Sequence, residues 1–295
     1  MTLRDFFVLK VGKLIPDKLW IQLKYYTHFH KRLDLESPKT FNEKLQWLKL
    51  YYQISEHTRM VDKYEMKQYV NEQLGEGHVI PTLGIWNSVE EIDFDSLPQQ
   101  FVLKTTHDCG GLVICEDKSR LDIEKAKQKL DKSLHTDYYI QYREWPYKNV
   151  KPRIIAEAFM QDESNTQLKD YKIFNFNGVP YCIQVDFDRF IDHKKNLYST
   201  EWKLLDFSFN YPSHPEIVIE KPENLEEMLA FAKVLSKGEP YVRTDFYSVN
   251  GKTYVGEITF FPASGYGKFI PDRVDREFGD LIILPEKIIS KEKNR

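Results

Sequence analysis

Cysteine and long apolar runs are scarce in this chain. Its 295 residues contain three cysteines, Cys109, Cys115 and Cys182, an odd number without metal-ligand spacing. This pattern argues against a disulfide framework and is typical of a reducing compartment. No apolar stretch approaches the ~20 residues that cross a bilayer, and the first residues lack the uninterrupted apolar core of a signal peptide. We therefore expect a cytoplasmic protein.

Charge of one sign is also lacking. A net charge of −3 gives no general attraction to nucleic acid. Residues 1–32 are the exception, with seven Lys or Arg against two Asp and with aromatic residues between them. Such a segment is more often an amphipathic helix that packs on the body of the protein. The alternative is a surface for an anionic polymer or for anionic lipids at the inner face of the membrane.

What is present is the composition of a folded globular protein. Hydrophobic residues make up 41% and aromatic residues 14% of the chain, which is long enough for about two domains. A capping box of Thr40 and Glu43 predicts one helix, and a second helix is predicted over 59–74. Hairpins are predicted to turn at Asn177-Gly178 and Asn250-Gly251. Antiparallel strand pairs between helices predict an α+β fold rather than a doubly wound parallel sheet.

The second hairpin carries charges whose placement depends on its register. A two-residue turn at Asn250-Gly251 would put Asp245 on the apolar face. We expect a three-residue loop over 249–251 instead, because a slip of one residue flips every side chain and this register keeps one face apolar. It sets Arg243 opposite Glu257. The predicted polar face holds Arg243, Asp245, Glu257 and Thr259, and the apolar face holds Val242, Phe246, Tyr254, Ile258 and Phe260.

Two carboxylates on one rigid hairpin allow two interpretations. The commoner is a solvated sheet face with a cross-strand ion pair. The other is a site for Mg²⁺ with a bound nucleotide, because this ion takes one or two protein carboxylates together with phosphate oxygens. If the two carboxylates repel each other, replacing Asp245 or Glu257 by its amide should leave the fold at least as stable as the parent.

A nucleotide also needs a phosphate site. Lys104 ends an apolar strand a few residues before Gly110-Gly111. Glycines let backbone N–H groups approach phosphate oxygens, and an ammonium group neutralises their charge. A surface lysine beside a plain turn explains the pattern equally well, and the Walker A motif is absent. Cys109 lies in the same loop, where we interpret it as a small residue rather than a catalytic one.

Glu157 lies in the middle of an apolar strand predicted over 153–160. A buried carboxylate needs a partner, which is either a structural lysine or a ligand donor such as an adenine amino group. Asp162 and Glu163 follow the strand and are placed to reach ribose hydroxyls, although acids in loops are usually solvated.

The order of these features is more informative than any one of them. The segments DKYEMKQYV, FVLKTTHDCGG, DYKIFNFNG, VRTDFYSVNGKTYVGEITFFP and SGYGKFIP resemble the TupA-like (teichuronopeptide biosynthesis) family of the ATP-grasp superfamily, over roughly residues 37–285. The resemblance implies two α+β subdomains whose antiparallel sheets enclose the nucleotide. It places a helical N-terminal segment at 1–75, the N-terminal and central ATP-grasp subdomain at 76–160, and the C-terminal subdomain with the metal-binding hairpin at 161–295.

The resemblance also implies roles in binding ATP and Mg²⁺. Lys104 would bind the α- and β-phosphates, the Gly110-Gly111 loop the β- and γ-phosphates, and Lys172 would lie near them. The residues implied at the adenine and ribose are Glu157, Ala158, Phe159, Met160 and Asp162. Asp245 and Glu257 would hold Mg²⁺, and Arg243 would stabilise an oxyanion. Thr259 stands where the superfamily usually has a metal-binding Asn, and its hydroxyl can still coordinate magnesium.

The implied function is an ATP-dependent carboxylate–amine ligase of bacterial surface polysaccharide synthesis, acting through an acyl phosphate. Its substrates would be a uronic or amino acid and an amine. The candidate acceptor site comprises residues 186–193, including Arg189, together with Lys268 and Arg273, which could equally be solvated charges. Transfer of a sugar or phosphoryl group on the same fold, and a non-catalytic nucleotide- or glycan-binding module, stay open as alternatives.

Overall fold

The computed structural model describes residues 12–108, 110–161, 168–187 and 194–290. Its α-helices are α1 (Asp17–Phe29), α2 (Phe41–Tyr51), α3 (Glu56–Val61), α4 (Glu65–Leu74), α5 (Ile123–Leu134), α6 (Tyr138–Tyr142), α7 (Leu225–Leu235) and α8 (Arg273–Leu281). Its strands are β1 (Thr82–Trp86), β2 (Phe101–Thr105), β3 (Leu112–Cys115), β4 (Ile154–Ala158), β5 (Asp170–Phe176), β6 (Val179–Phe187), β7 (Lys194–Ser199), β8 (Ser208–Phe209), β9 (Tyr241–Val249), β10 (Lys252–Thr259) and β11 (Phe269–Ile270).

Two antiparallel sheets organise the chain, which confirms the predicted α+β fold. The first has the strand order β1-β4-β2-β3 and the second the order β10-β9-β5-β6-β7, while β8 and β11 form a small ribbon. Each sheet has its own apolar core, and Phe101, Leu103 and Leu130 are fully buried in the first. The division of the chain at residues 75 and 160 into three domains stays a prediction.

The N-terminal helices pack on the second sheet. Phe41 of α2 is fully buried and makes edge-to-face contacts with Tyr241 at 4.8 Å and Phe278 at 5.9 Å between ring centroids. The predicted capping box starts this helix: the Glu43 N–H donates to Thr40 Oγ1 at 3.2 Å, and the Thr40 N–H donates to Glu43 Oε2 at 3.0 Å. Reciprocal capping fixes where the helix begins.

The helix predicted over 59–74 is divided at Asp62, and this part of the prediction is wrong. The Asp62 carboxylate accepts hydrogen bonds from the backbone N–H groups of Tyr64 at 2.9 Å and Glu65 at 3.3 Å. It also pairs with Arg153 at 2.8 Å. A side chain that caps following N–H groups starts a new helix, so α4 begins at Glu65 and turns Lys67 toward the first sheet.

The register of the hairpin differs from the prediction. The turn has two residues, Asn250 and Gly251, both with positive φ, as a tight hairpin turn requires. A bulge between Val255 and Glu257 then shifts the pairing, so that Glu257 lies opposite Asp245. The predicted three-residue loop and the opposition of Arg243 to Glu257 are therefore wrong.

The bulge nevertheless produces the predicted polar face. A turn one residue shorter than predicted would move the charged side chains of one strand to the opposite face, and the extra residue in the bulge moves them back. Val255 takes the apolar position predicted for Tyr254 and pairs with buried Phe246. The bulge residue is Gly256, where a Cβ atom would come within 2.6 Å of the Tyr247 ring. A glycine is required at this close approach.

Helix α1 packs on the segment that follows α5. Trp20, Ile21 and Tyr25 are buried, and Asp17 pairs with Arg143 at 2.6 Å. The described part of the basic N-terminal segment thus packs on the body of the protein, while residues 1–11 lie outside the description. In the part of the chain that the structure describes, no helix is long and apolar enough to cross a membrane.

Candidate functional site

The polar face of the second sheet brings three strands together around Asp245. Lys172 on β5 and Glu257 on β10 are the cross-strand neighbours of Asp245 on β9. Arg243 binds the Asp245 carboxylate with two nitrogens, Nε to Oδ1 and Nη2 to Oδ2, both at 2.7 Å. Lys172 Nζ adds a third bond, 2.9 Å from Oδ2. Asp245 is therefore the shared anion of two cations.

The electrostatics of Asp245 follow from these contacts. Burial would raise the pKa of its carboxyl, but the Arg243 guanidinium and the Lys172 ammonium outweigh burial and hold the pKa below its ordinary value. Arg243 and Lys172 compensate the negative charge of Asp245. Repulsion between Asp245 and Glu257 is therefore no longer expected. The reason for expecting that Asp245→Asn keeps the parent stability is thus removed, and we now expect a loss of stability, because this change leaves two buried cations without their shared anion.

Lys172 is enclosed by carboxylates. Besides Asp245 it contacts Asp170 and lies 3.8 Å from Asp186 Oδ2. Burial would lower the pKa of Lys172, but these carboxylates raise it above its ordinary value, so the ammonium stays charged. Asp186, predicted as part of an acceptor site, lies in this buried cluster instead, because it is the cross-strand neighbour of Asp170.

The other predicted acceptor residues that the structure describes do not line the cavity onto which Arg243, Glu257 and Thr259 face. Arg273 pairs with Glu277 at 2.6 Å on the exposed side of α8, and Lys268 is exposed. Neither of them lines that cavity in the described part of the chain. Arg189 and the rest of the segment 188–193 lie outside the described residues, as do Cys109, Asp162 and Glu163.

Glu157 has two lysine partners on the first sheet. Lys104 Nζ lies 2.6 Å from Glu157 Oε2, and Lys67 Nζ lies 2.6 Å from Glu157 Oε1. Burial would raise the pKa of Glu157, but the two ammonium groups lower it below its ordinary value. The structure thus gives Glu157 structural lysines as its partners. Roles for Ala158, Phe159 and Met160 at an adenine stay predictions.

Lys67 was missed by the analysis of the sequence. Its Nζ also donates to the Ile80 carbonyl at 2.6 Å, so α4 is held against the strand that carries Glu157. The available signal was a single lysine on the buried face of an amphipathic helix, between Met66 and Val70. A charged residue at such a position requires a partner, but the sequence does not identify it.

The glycine-rich loop after β2 is closed around Asp108. The Asp108 carboxylate accepts hydrogen bonds from the hydroxyls of Thr105 and Ser133, and the Lys63 ammonium donates to the Asp108 carbonyl. The Thr105 N–H donates to the Gly111 carbonyl at 2.9 Å. These bonds fix the loop between Lys104 and β3 without using its exposed residue, Gly110.

We expect Gly111→Ala to damage this loop. A Cβ atom on Gly111 would come within 2.1 Å of Thr105 Oγ1 and 2.6 Å of Ser133 Oγ, and such overpacking costs about 1–3 kcal/mol. Thermal unfolding should show a lower midpoint and ATP binding should weaken. Gly110→Ala is the matched control, since its Cβ atom would come no closer than 3.2 Å to a neighbour. Equal effects of the two substitutions would contradict this view of the loop.

The loop and the hairpin face one cavity of about 430 Å³. Asp108 of the loop lines it together with Arg243, Glu257 and Thr259 of the hairpin. Its other lining residues are His28, Tyr138, Tyr142, Glu144, Tyr147, Phe261, Pro262, Ala263, Ser264 and Tyr266. Three of the residues predicted from the sequence, Arg243, Glu257 and Thr259, therefore line this cavity. Lys104, Gly110, Gly111, Lys172 and Asp245 are not among its lining residues in the described part of the chain, so their roles at the phosphates and the metal stay predictions.

The oxygen donors at this cavity fit a magnesium ion. The Glu257 side chain is 37% exposed and its Oε2 lies 3.9 Å from Arg243 Nη2, while Thr259 Oγ1 accepts from Arg243 at 3.1 Å. Asp245 could add a ligand only by sharing an oxygen that already binds Arg243 or Lys172. Across the described residues no group of three or more His, Cys, Asp or Glu side chains could hold a metal. An ion here would need phosphate oxygens and water, as magnesium commonly does.

The chain is similar to solved structures at low identity. D-Alanine–D-alanine ligase from Bacillus anthracis complexed with ATP is 14% identical, with a TM-score of 0.43 and coverage of 76% of this chain and 63% of that chain. The ADP complex of purK, N5-carboxyaminoimidazole ribonucleotide synthetase, is 14% identical, with a TM-score of 0.44 and coverage of 74% and 50%. This chain thus spans between 50% and 63% of the length of those two proteins.

Comparison with families gives the assignment. A search of curated proteins finds no match. The family model described as TupA-like ATPgrasp matches residues 43–283, a range that includes Lys104, the glycine-rich loop and the whole hairpin. Because this match extends over well more than half of the sequence, the chain belongs to the TupA-like ATP-grasp family.

Proposed function

We propose that this protein is an ATP-dependent ligase that joins a carboxylate to an amine through an acyl phosphate. The observation that carries the proposal is the shared cavity, onto which Asp108 of the glycine-rich loop and Arg243, Glu257 and Thr259 of the hairpin all face. Phosphoryl transfer needs positioning and charge neutralisation more than covalent chemistry from the protein. Membership of an ATP-grasp family supports the same reaction class.

Each group would have a defined task in this reaction. Lys104 is 21% exposed while Lys67 is 9% exposed, so Lys104 is the lysine placed to exchange Glu157 for a phosphate oxygen. Arg243 reaches the cavity wall while Asp245 holds its guanidinium in one orientation, which suits a donor to a developing oxyanion. Mg²⁺, held by Glu257 and Thr259 with a share of Asp245, would neutralise charge on the phosphates.

The choice of substrates is supported by the family resemblance rather than by the cavity. We propose a uronic or amino acid as the carboxylate and an amine acceptor within a bacterial capsule, lipopolysaccharide or teichuronopeptide. An enzyme of such a polymer would work in the cytoplasm near the inner face of the membrane. The outer face of α1 exposes Leu19, Leu23 and Tyr26 beside lysines, which is compatible with an anionic surface.

The test is acid-dependent turnover. The protein is incubated with Mg-ATP, hydroxylamine and a panel of uronic and amino acids, and ADP and hydroxamates are measured. We expect at least one acid to give both products in equal amounts, and Glu257→Gln to abolish both. Absence of acid-dependent ADP across the panel would contradict the proposal. A product that keeps a phosphate, seen by mass spectrometry, would indicate phosphoryl transfer instead.

A further inference from the structure

A buried carboxylate on the cavity wall is not used by the nucleotide site. Glu144 is 2% exposed and precedes the short 3₁₀-helix Trp145–Asn149. Its Oε1 accepts hydrogen bonds from Ser264 Oγ at 2.5 Å and from the Tyr138 hydroxyl at 3.3 Å. Its Oε2 has no hydrogen-bond partner among the residues that the structure describes. Burying a carboxylate is costly unless a cation or several donors compensate its charge.

The cations around Glu144 are committed to other partners. Lys49 Nζ donates to the carbonyls of Ser264 at 2.7 Å and Tyr142 at 3.0 Å, and burial lowers the pKa of Lys49 to about 7. The neighbouring Arg143 turns away to Asp17, and Arg243 is bound to Asp245. Burial accordingly raises the pKa of Glu144, with only partial opposition from Lys49. This carboxylate therefore lacks a full counter-ion.

Aromatic rings surround the same part of the cavity. Tyr138 contacts the rings of Tyr142 at 5.4 Å and Tyr147 at 4.8 Å between centroids, and all three line the cavity. Tyr266 lines it as well, with the His28 ring stacked on it at 4.5 Å. The faces of tyrosine rings attract cations, more strongly where water is excluded. Lys49 Nζ lies 4.8 Å from the centre of the Tyr266 ring and Lys24 Nζ lies 5.6 Å from that of Tyr142. These surroundings therefore accept ammonium groups, and the Glu144 carboxylate adds a negative charge to them.

We propose that Glu144 is the receptor for the ammonium group of the amine substrate and the acceptor of its proton. This inference rests on the ligase function proposed above. Glu144 and Glu257 line the same cavity and interact electrostatically, so an amine held at Glu144 lies in the space that would contain the acyl phosphate. The site selects primary amines that are cationic at neutral pH, such as amino acids or amino sugars, over hydroxyl nucleophiles.

The step that follows is balanced within the proposed reaction. One ammonium proton passes to Glu144 Oε2, which leaves a neutral amine with a free electron pair. That pair forms the C–N bond with the carbonyl carbon of the acyl phosphate. The C–O bond to phosphate then breaks, and the phosphate leaves with the bonding electrons and takes the second nitrogen-bound proton. Glu144 later releases its own proton to solvent through the cavity.

Glu144→Gln tests this assignment because it keeps the Oε1 acceptor for Ser264 and removes the charge. A charged hydrogen bond contributes about 1.5–3 kcal/mol, so kcat/KM for a panel of amino acids and amino sugars should fall roughly 10- to 100-fold, chiefly through a higher KM. Hydroxylamine is uncharged at neutral pH, and hydroxamate formation should therefore be retained. Glu286→Gln, an equal charge change at an exposed position, is the control and should behave as the parent.

Calorimetric titration of the same amines into the parent and into Glu144→Gln, without ATP, separates this inference from the ligase function. Loss of amine binding in the variant supports the receptor whether or not hydroxamates form. Parent-like amine binding or parent-like kcat/KM in Glu144→Gln would overturn it. Equal losses of hydroxamate and amide formation in Glu144→Gln would also overturn the inference, because Glu144 would then be needed for a step that precedes attack by the amine.

Discussion

Asp245→Asn should lower the free energy of unfolding by about 3–5 kcal/mol, the usual cost of breaking a buried ion pair. The reason is that Arg243 and Lys172 both bind this carboxylate, at 2.7 and 2.9 Å, and keep no comparable shared anion without it. The measurement is chemical denaturation at neutral pH. Glu257→Gln is the matched control, since its side chain is 37% exposed and its Oε2 lies 3.9 Å from Arg243 Nη2, and exposed pairs contribute about 0–1 kcal/mol.

The pH dependence of stability should distinguish the two variants as well. The pKa of Asp245 in the folded state is lower than its ordinary value of 3.8, so its contribution is present above pH 3.8 and is lost as pH falls toward the folded-state pKa. The parent should therefore lose stability in acid more steeply than Asp245→Asn does. Equal stability of the two amide variants, or parallel acid curves, would show that Asp245 does not compensate Arg243 and Lys172.

Glu157→Leu is expected to have the second large effect. It removes the anion shared by Lys67 and Lys104, whose side chains are 9% and 21% exposed, and a loss of about 3–5 kcal/mol follows from leaving such charges unpaired. Burial already lowers the pKa of Lys67 more than Glu157 raises it. Lys67 should therefore be the costlier residue to leave without its partner.

A double-mutant cycle tests whether Glu157→Leu destabilises the protein by leaving the charge of Lys67 unpaired. Replacing a buried ion pair by apolar residues of similar size is often neutral or stabilising, so Glu157→Leu combined with Lys67→Met should be more stable than Glu157→Leu alone. The coupling energy between contacting residues of this kind is about 0.5–3 kcal/mol. Additive losses in the double variant, measured by chemical denaturation, would show that Lys67 and Glu157 do not compensate each other.

The polar face of the hairpin could be predicted from the sequence, but its pairing could not. Side chains alternate along each strand. Arg243, Asp245, Glu257 and Thr259 therefore share one face whenever the numbers of directly opposed residues add up to an even number. A three-residue loop gives an even sum, and so does a two-residue turn followed by a bulge at Gly256. Gly256 suits the bulge because a Cβ atom there would come within 2.6 Å of the Tyr247 ring, and this contact between strands is not visible in the local pattern. Local pattern thus fixed the face and left the partner open.

Contacts between segments that are distant in the chain could not be predicted from the sequence pattern. Asp245 meets Lys172 because β5 pairs with β9 across 73 residues, and nothing local indicates this neighbour. Glu157 was predicted to need a partner, and a lysine was one of two options, but Lys67 comes from α4, far from Glu157 in the chain. Glu144 gave no signal at all, because its burial depends on Ser264 and Tyr138.

Binding of Mg-ATP is the most direct test of the claim that the loop and the hairpin form one nucleotide site. Titration calorimetry would compare the parent, Lys104→Met and Glu257→Gln, each with magnesium and with a chelator. We predict that Lys104→Met weakens ATP binding in both conditions through its phosphates, while Glu257→Gln removes the gain in affinity that magnesium gives the parent. Magnesium-dependent ATP binding in Glu257→Gln as tight as in the parent would contradict the account.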